Sequence, residues 1–552
     1  MKRLVALLST LLLTGCAALP TELDVQSGPE LVGPAAQEFS YYSPASPSLG
    51  ATPQEIVSGF LAAGTGPQND YAIAREYLSA DFAQRWQPAA ETLIRSGAPI
   101  FRESGGTVQL VDITAGARLD EHGRYTGISP AQTSTLRFQL VQEAGQWRIA
   151  AAPNLTVVTQ PVFSVVFRDF PVYFVDTRYR YLVPDLRWFP SRASTPTKLV
   201  TALLAGPSEW LDTSVTSAIP EGTSLTINAV SVESGVARVD FDANALAADA
   251  ESRRVMLTQL RSTLLQISGV NQVAISVNNS AQEIEPSDLV DISTLGPTFA
   301  LTSSGVQRLN VSEQLPLSGT DSMVEAYEPT LFALGDDGRR VAFSNPDGVY
   351  LLERDGLSLS ITQLSETGEI AALEFDSFDS LWVFPADAAE PIEVYEIRGT
   401  ARTLPLDLEG TRLFSAISPE GGRLVQAIEL PDGSSQILVE TISRDSAMIP
   451  LRTNPGLEIM PVVGKPISLT WHGSNAIRVL EETASGLSAL SEYPLTGPRR
   501  ALTMPPVVGA QLLSGAASVS TYLLSENGEI WTLTGNTWRK GVTGVTALSA
   551  LR

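Results

Sequence analysis

The sequence predicts a multidomain chain: an α+β cone on the N-terminal side, an α/β unit in the middle, and an all-β propeller at the C-terminal end. Three observations carry this. Helical periodicity gives way to strict alternation in the first domain, helices and strands alternate around residues 191–290, and from about residue 299 strand follows strand with degenerate repeats. At 552 residues the length suits about three or four domains of roughly 150 residues each.

The N-terminus reads as an export signal over residues 1–15. Lys2 and Arg3 precede an apolar run from Leu4 to Leu13, too short to span a bilayer as a mature helix. Leu13-Thr14-Gly15-Cys16 then has the pattern of a bacterial lipobox. The Cys16 thiol is the nucleophile that accepts a diacylglyceryl group, and small residues before it fit the peptidase that cuts there. An ordinary signal cut after Ala18 is the alternative. It is disfavoured because Cys16 is the only cysteine and stands at the required place. The expectation is an exported protein held by lipid on the extracytoplasmic face of the cell membrane.

Residues 16–50 are rich in Pro, Ser, Gly and acids without a period, and read as a disordered tether. Such a segment reaches roughly 30 Å as a coil and about 100 Å when taut. Phe39, Tyr41 and Tyr42 are unusual there, and docking on the first domain is preferred over a membrane-interface role.

Composition excludes several functions. Lys and Arg number 37 against 60 Asp and Glu, a net charge of −23. No basic patch exists to displace counterions from nucleic acid, and an anionic membrane surface would repel the body. With Cys16 committed to the anchor, no disulfide or thiol nucleophile remains. The two histidines, His122 in the turn Asp120-Glu121-His122-Gly123 and His472 after Trp471, read as solvated turn or strand-end residues. No metal site, cofactor site or catalytic residue is expected, and a Ser-His-Asp triad lacks its histidine. Carboxylate chemistry is what remains for an enzyme.

The first domain covers residues 51–154. Thr52-Pro53-Gln54-Glu55 starts a helix with an N-cap, a first-position proline and a capping-box Glu, and Ile56, Phe60 and Ala63 mark its buried face. Further helical stretches follow Asp70, with Tyr77 and Leu78 inward, and span Asp81 to Trp86. Alternation at Val108 and Leu110, then at Leu136, Phe138 and Leu140, leads through Glu143-Ala144-Gly145 into Trp147-Arg148-Ile149, a hairpin. Helices first and sheet afterwards is the order of the nuclear-transport-factor-like cone. Trp86 and Trp147 are expected in its core.

Residues 155–190 form an aromatic, β-rich connector with Phe163, Phe167, Phe170, Tyr173, Phe174, Tyr179, Tyr181 and Trp188, expected to cement adjoining domains in preference to binding a ligand. In residues 191–290, Thr195-Pro196 opens a helix that Gly206-Pro207 stops. Strand-like Leu225 to Val232 turns at Ser234-Gly235 into Val236 to Phe241. A helix from about Asp249 to Ser268 carries Met256, Leu257, Leu260, Leu264 and Ile267, with Gly269 at the C′ position, and Val273, Ile275 and Val277 alternate along a closing strand. Ala202-Leu203-Leu204-Ala205-Gly206-Pro207, Ala218-Ile219-Pro220-Glu221-Gly222-Thr223 and Ala237-Arg238-Val239-Asp240-Phe241 make this segment resemble the GerMN domain. That resemblance implies no catalytic residues and an envelope interaction role.

Residues 296–552 read as a propeller of about six blades, or five with irregular loops, at roughly 40–45 residues per blade; a pair of β-sandwiches is the alternative. Gly335-Asp336-Asp337-Gly338-Arg339-Arg340-Val341-Ala342-Phe343 echoes Ser418-Pro419-Glu420-Gly421-Gly422-Arg423-Leu424-Val425-Gln426-Ala427. Leu373-Glu374-Phe375 with Leu381-Trp382-Val383 echoes Leu469-Thr470-Trp471 with Ile477-Arg478-Val479, and Ile530-Trp531-Thr532 adds a late aromatic strand.

Lipobox, tether, cone, GerMN-like unit and propeller together resemble the LpqB family of actinobacterial lipoproteins. The resemblance alone implies a partner, the extracytoplasmic domain of the sensor kinase MtrB in the MtrA–MtrB two-component system, and a non-enzymatic modulating role in envelope and division processes. A carbohydrate-active enzyme using two propeller carboxylates is the rival, with Asp336, Asp337, Asp376 and Asp379 as candidates that otherwise read as turn formers. A passive binder of cell-wall glycan is the third reading.

Overall fold

The computed structural model describes residues 44–551, apart from 104, 290, 293, 310–313, 336–337, 357, 367, 397–400, 406–407, 460–463 and 516–519. Cys16 with Leu13, Thr14 and Gly15, the aromatic residues Phe39, Tyr41 and Tyr42, and the acids Asp336 and Asp337 lie outside the described residues.

The first helix, Pro53–Ala63, begins where the sequence places its cap. The Glu55 N–H donates to the Thr52 hydroxyl at 3.3 Å, and the Thr52 N–H donates to the Glu55 carboxylate at 2.8 Å, so two orphan donors are satisfied reciprocally. Two shorter helices, Gln68–Arg75 and Ala80–Arg85, complete a helical layer over a mixed sheet. Its strand order is Gln146–Ala151, Tyr125–Glu143, Val108–Asp120, Glu91–Arg95 and Thr156–Thr159, the last pair parallel. Phe60 joins the layers, with ring centroids 5.0 Å from Trp86 and 6.1 Å from Phe138. Trp147 is half-buried against the same core. The period-two reading of Val108 and Leu110 has the wrong face. Gln109, Val111, Ile113, Ala115, Ala117 and Leu119 point inward, and the longer inward run at 111–119 fixes the phase of the strand.

The aromatic stretch is not a separate connector in space. Phe167–Asp176 and Leu182–Pro190 form a hairpin, with Val215–Thr216 as third strand. Its inward residues share one core with Leu199, Leu203, Met256, Leu260, Leu264 and Ile275. Helix Ala250–Leu264 connects the parallel strands Val236–Phe241 and Gln272–Val277. Asp249 caps it by accepting from the Ser252 N–H at 2.8 Å. The helix ends at Leu264 with Leu265 as its C-cap, short of the expected Ser268, so Gly269 is not its C′ residue and instead takes a left-handed φ of +86° in the turns that follow. Gln259, fully buried, bolts this helix down: it accepts from the Ala218 N–H at 2.8 Å and donates to the Tyr173 carbonyl at 2.9 Å. Strand-like 225–232 yields only Ser231–Glu233. Leu225 makes a single bridge to Phe241, and the Thr226 N–H is taken by the Asp240 carbonyl.

Beyond residue 297, six four-stranded antiparallel sheets follow one another among the described residues. Their inner strands, Leu331–Gly335, Ile370–Phe375, Thr411–Ile417, Lys465–His472, Gly509–Ser514 and Val545–Ala550, touch in sequence, and the last returns to the first. The result is a closed, propeller-like ring. Closure comes from the C-terminal strand, which pairs with Thr298–Thr302 at the other end of the segment, so no sheet edge is left at the seam. Ala547 packs with Leu301 and Phe332, and Leu548 with Ala300 and Leu524. Leu548→Ala should cost about 2–5 kcal/mol and selectively loosen the seam. Chemical denaturation, with hydrogen exchange at residues 298–302, checks this.

Candidate functional site

The described residues from 44 onward belong to one compact unit, and a single indole connects its three parts. Trp188 ends the middle-domain hairpin and is almost fully buried. Its backbone N–H donates to the Gly123 carbonyl of the first domain at 2.8 Å, and its ring meets Phe163 and Tyr125 at centroid distances of 5.0 and 6.4 Å. On the other side its Nε1–H donates to the Thr496 carbonyl of the ring of sheets at 2.6 Å, and the Arg500 guanidinium lies 5.8 Å from its centroid. Two glycines make room. A Cβ on Gly123 would fall 2.8 Å from the Trp188 carbonyl, and one on Gly497 would fall 2.5 Å from the indole.

A buried ion pair lies on the same strand, one and three residues before Trp188. Asp185 and Arg187 have no exposed side-chain surface and meet at 2.6 Å. Asp185 also accepts from the Ser208 N–H at 2.7 Å and the Ser208 hydroxyl at 3.0 Å. Arg187 and Arg124 of the first domain both donate to the Gly206 carbonyl, at 3.1 and 3.2 Å. The Gly206-Pro207 helix stop is thus also a docking point. Burial holds the Arg187 guanidinium below its usual range, against the pull of Asp185.

The turn Ser418–Arg423 faces the middle domain. Glu420 pairs with Arg423 at 2.7 Å with both side chains buried, and a Cβ on Gly422 would fall 2.8 Å from the Tyr181 ring. Tyr181 packs on Phe378 at 5.6 Å, and the Ser214 hydroxyl donates to Thr441 at 2.7 Å.

The two histidines are less exposed than the sequence implies. His122 does sit in the 120–124 turn, but the turn packs against the hairpin. Desolvation lowers its pKa, opposed by Asp120 and Glu121. His472 lies beside Arg478, 3.0 Å from its guanidinium. Desolvation first, then Arg478, lowers it to about 4, against the pull of Glu492.

Of the four sequence-predicted acids, the two described ones are committed to local partners. Asp376 is buried, accepting from the Phe378 and Ser380 N–H groups at 2.9 and 3.0 Å and from Trp382 Nε1–H and Arg444 at 2.8 Å each. Asp379 is a left-handed turn residue 3.7 Å from Arg340, and Asp336 and Asp337 lie outside the described residues. The channel through the ring holds about 280 Å³ and, among the described residues, one lining carboxylate. That is Glu374, which accepts from the Ile417 N–H at 2.6 Å. No group of three or more His, Cys, Asp or Glu suited to a metal occurs among the described residues. No helix among them is long and apolar enough to cross a membrane.

A larger cleft, about 480 Å³, opens where the first and middle domains meet. Tyr71 and Trp86 line it from one side, and Trp188, Phe189, Arg192 and Lys198 from the other. The Arg192 guanidinium lies 4.9 Å from the Tyr71 ring centroid. Sequence reasoning missed this cleft. One signal was available: Lys198 occupies the start of helix Thr195–Leu204, whose first turn has no acidic residue, where the macrodipole favours acids.

Comparison with known proteins gives these features a context. The family described as "Lipoprotein LpqB, N-terminal domain" matches residues 46–164, and the one described as "Sporulation and spore germination" matches residues 171–283. Lipoprotein LpqB of Bifidobacterium longum is 25% identical over 573 residues, covering 98% of this chain and 96% of its own. The chain is similar to LpqB lipoproteins over nearly its full length. Lipoprotein LpqB of Streptomyces avermitilis is 24% identical over 96% of this chain and 94% of its own. That of Cutibacterium acnes is 32% identical over 50% and 47%. The first GerMN domain of the sporulation protein GerM from Bacillus subtilis matches 22% of this chain and 94% of its own at 22% identity, with a TM-score of 0.19.

Two outcomes follow for the family fold. Asp185→Asn strips the partner from a buried guanidinium and should cost about 3–5 kcal/mol, measured by chemical denaturation. For His472, the folded form binds fewer protons than the unfolded chain between about pH 4 and the ordinary histidine value. Stability therefore falls as pH drops through that window. His472→Gln should flatten that part of a denaturation-versus-pH curve.

Proposed function

We propose that the protein is a lipid-anchored accessory regulator on the extracytoplasmic face of the cell membrane. In this reading residues 1–15 are a signal, Cys16 carries the acyl anchor, and residues 16–50 are the tether. The body then comprises a nuclear-transport-factor-like cone, a GerMN-like unit and a six-bladed propeller. The partner is the extracytoplasmic domain of a sensor kinase, MtrB by family resemblance, whose signalling equilibrium the lipoprotein biases without chemistry of its own.

The observation that supports this most is similarity to lipoproteins along 98% of the chain, joined to a body built for contact. Its buried charges are spent on internal docking, and the one carboxylate lining the described channel is tied to a backbone N–H. A tether raises the effective concentration of such a body near a membrane receptor, so modest affinity suffices. A ligand that prefers one kinase state shifts the equilibrium by its difference in affinity.

Cys16→Ser tests anchor and partnership together. The variant should move from the membrane fraction to the soluble fraction, and response-regulator phosphorylation should change as it does on deletion of the gene. Retention in the membrane would remove the anchor from this reading. Unchanged kinase output on deletion would remove the regulator.

A further inference from the structure

We infer that the cleft between the first and middle domains is a binding site for a singly charged acidic sugar. The inference is independent of the kinase partnership. A volume of about 480 Å³ suits a small molecule, and the wall is assembled from two domains rather than left by poor packing within one.

Its charges are arranged for a ligand rather than for the fold. The chain carries −23 overall, yet Arg192 and Lys198 enter this cleft without a carboxylate within ion-pair distance among the described residues. The Arg192 Nε–H is buried without an acceptor. Lys198 stands in the first turn of helix Thr195–Leu204, whose cap residue Ser194 makes no side-chain cap bond. A cation there opposes the helix dipole and adds to its positive end. Trp86, 2% exposed, lines the same cleft with its indole N–H unpaired. These donors and cations together call for an anion.

The rest of the lining narrows its class. Asp70, which is paired with Arg75, and Asp120 and Glu121 also border the cleft. They repel a polyanion such as a nucleotide or an oligophosphate, but accept hydrogen bonds from hydroxyl groups. Tyr71, Trp188 and Phe189, each largely buried, leave only ring edges in an otherwise apolar wall against which a saturated ring can lie. One carboxylate for Arg192 and Lys198, several hydroxyls for the acidic rim, and a ring for the aromatic wall describe a sugar acid.

The test uses N-acetylmuramic acid as probe, with N-acetylglucosamine and inorganic phosphate as comparisons, on the soluble Cys16→Ser chain. Intrinsic tryptophan emission reports from Trp86 and Trp188, and calorimetry gives the affinity. N-acetylmuramic acid should bind saturably, the uncharged sugar and phosphate at least about tenfold more weakly, as loss of one charged hydrogen bond implies. Lys198→Gln should weaken the acid by about tenfold while leaving thermal unfolding and the affinity for N-acetylglucosamine unchanged. Arg192→Gln is the second variant if the first misfolds. The proposal fails if the acid does not saturate, if phosphate binds as tightly, or if neither variant alters binding.

Discussion

Trp188 is the contact on which the arrangement of this molecule depends. Its backbone is held by the first domain, its ring sits among Tyr125 and Phe163, and its indole N–H is spent on the Thr496 carbonyl of the ring of sheets. A buried aromatic removes a large apolar area from water, worth about 2–3 kcal/mol. Here that area is shared among three modules, so burial that would stabilise one domain couples several. The glycines at 123 and 497 are needed because a side chain at either would occupy the space the indole and its backbone use.

Buried charge adds specificity around this contact. The pairs Asp185–Arg187, Glu420–Arg423 and Asp376–Arg444 are all withdrawn from solvent. Such pairs gain little net stability over apolar residues, but each strongly penalises any geometry that separates its partners. In each, at least one further donor or acceptor reaches a backbone group: Gly206 and Ser208 for the first, Ser474 for the second, Gly421 for the third. These directional bonds fix geometry within the middle domain and within the ring of sheets, and Arg124, which also reaches the Gly206 carbonyl, carries one across to the first domain.

Local features were legible in the sequence because their physics is local. The Thr52–Glu55 capping box, the Asp249 cap and the turn at 418–423 each involve bonds spanning a few residues. Alternation at Leu136, Phe138 and Leu140 was read on the correct face, whereas Val108 and Leu110 were not, since a two-residue sample cannot set the phase of a long strand. Non-local features were hidden. The hairpin at 167–190 looked like a connector because its partners, Leu199 and Met256 among them, come later in the chain. Ring closure by residues 545–550 and the cleft uniting Tyr71 with Arg192 depend on the same kind of distant contact. Asp376 was seen as a turn residue, which it is, but its grip on Trp382 and Arg444 required the fold.

Modules joined this way should unfold together, although multidomain chains commonly melt in steps. Scanning calorimetry of the mature chain, with and without Trp188→Ala, asks this directly. The coupling described here predicts one cooperative transition for the native sequence, and a separate, lower-temperature transition of the first domain once the indole is removed. Independent melting of the domains in the native protein, left unaltered by the substitution, would contradict it.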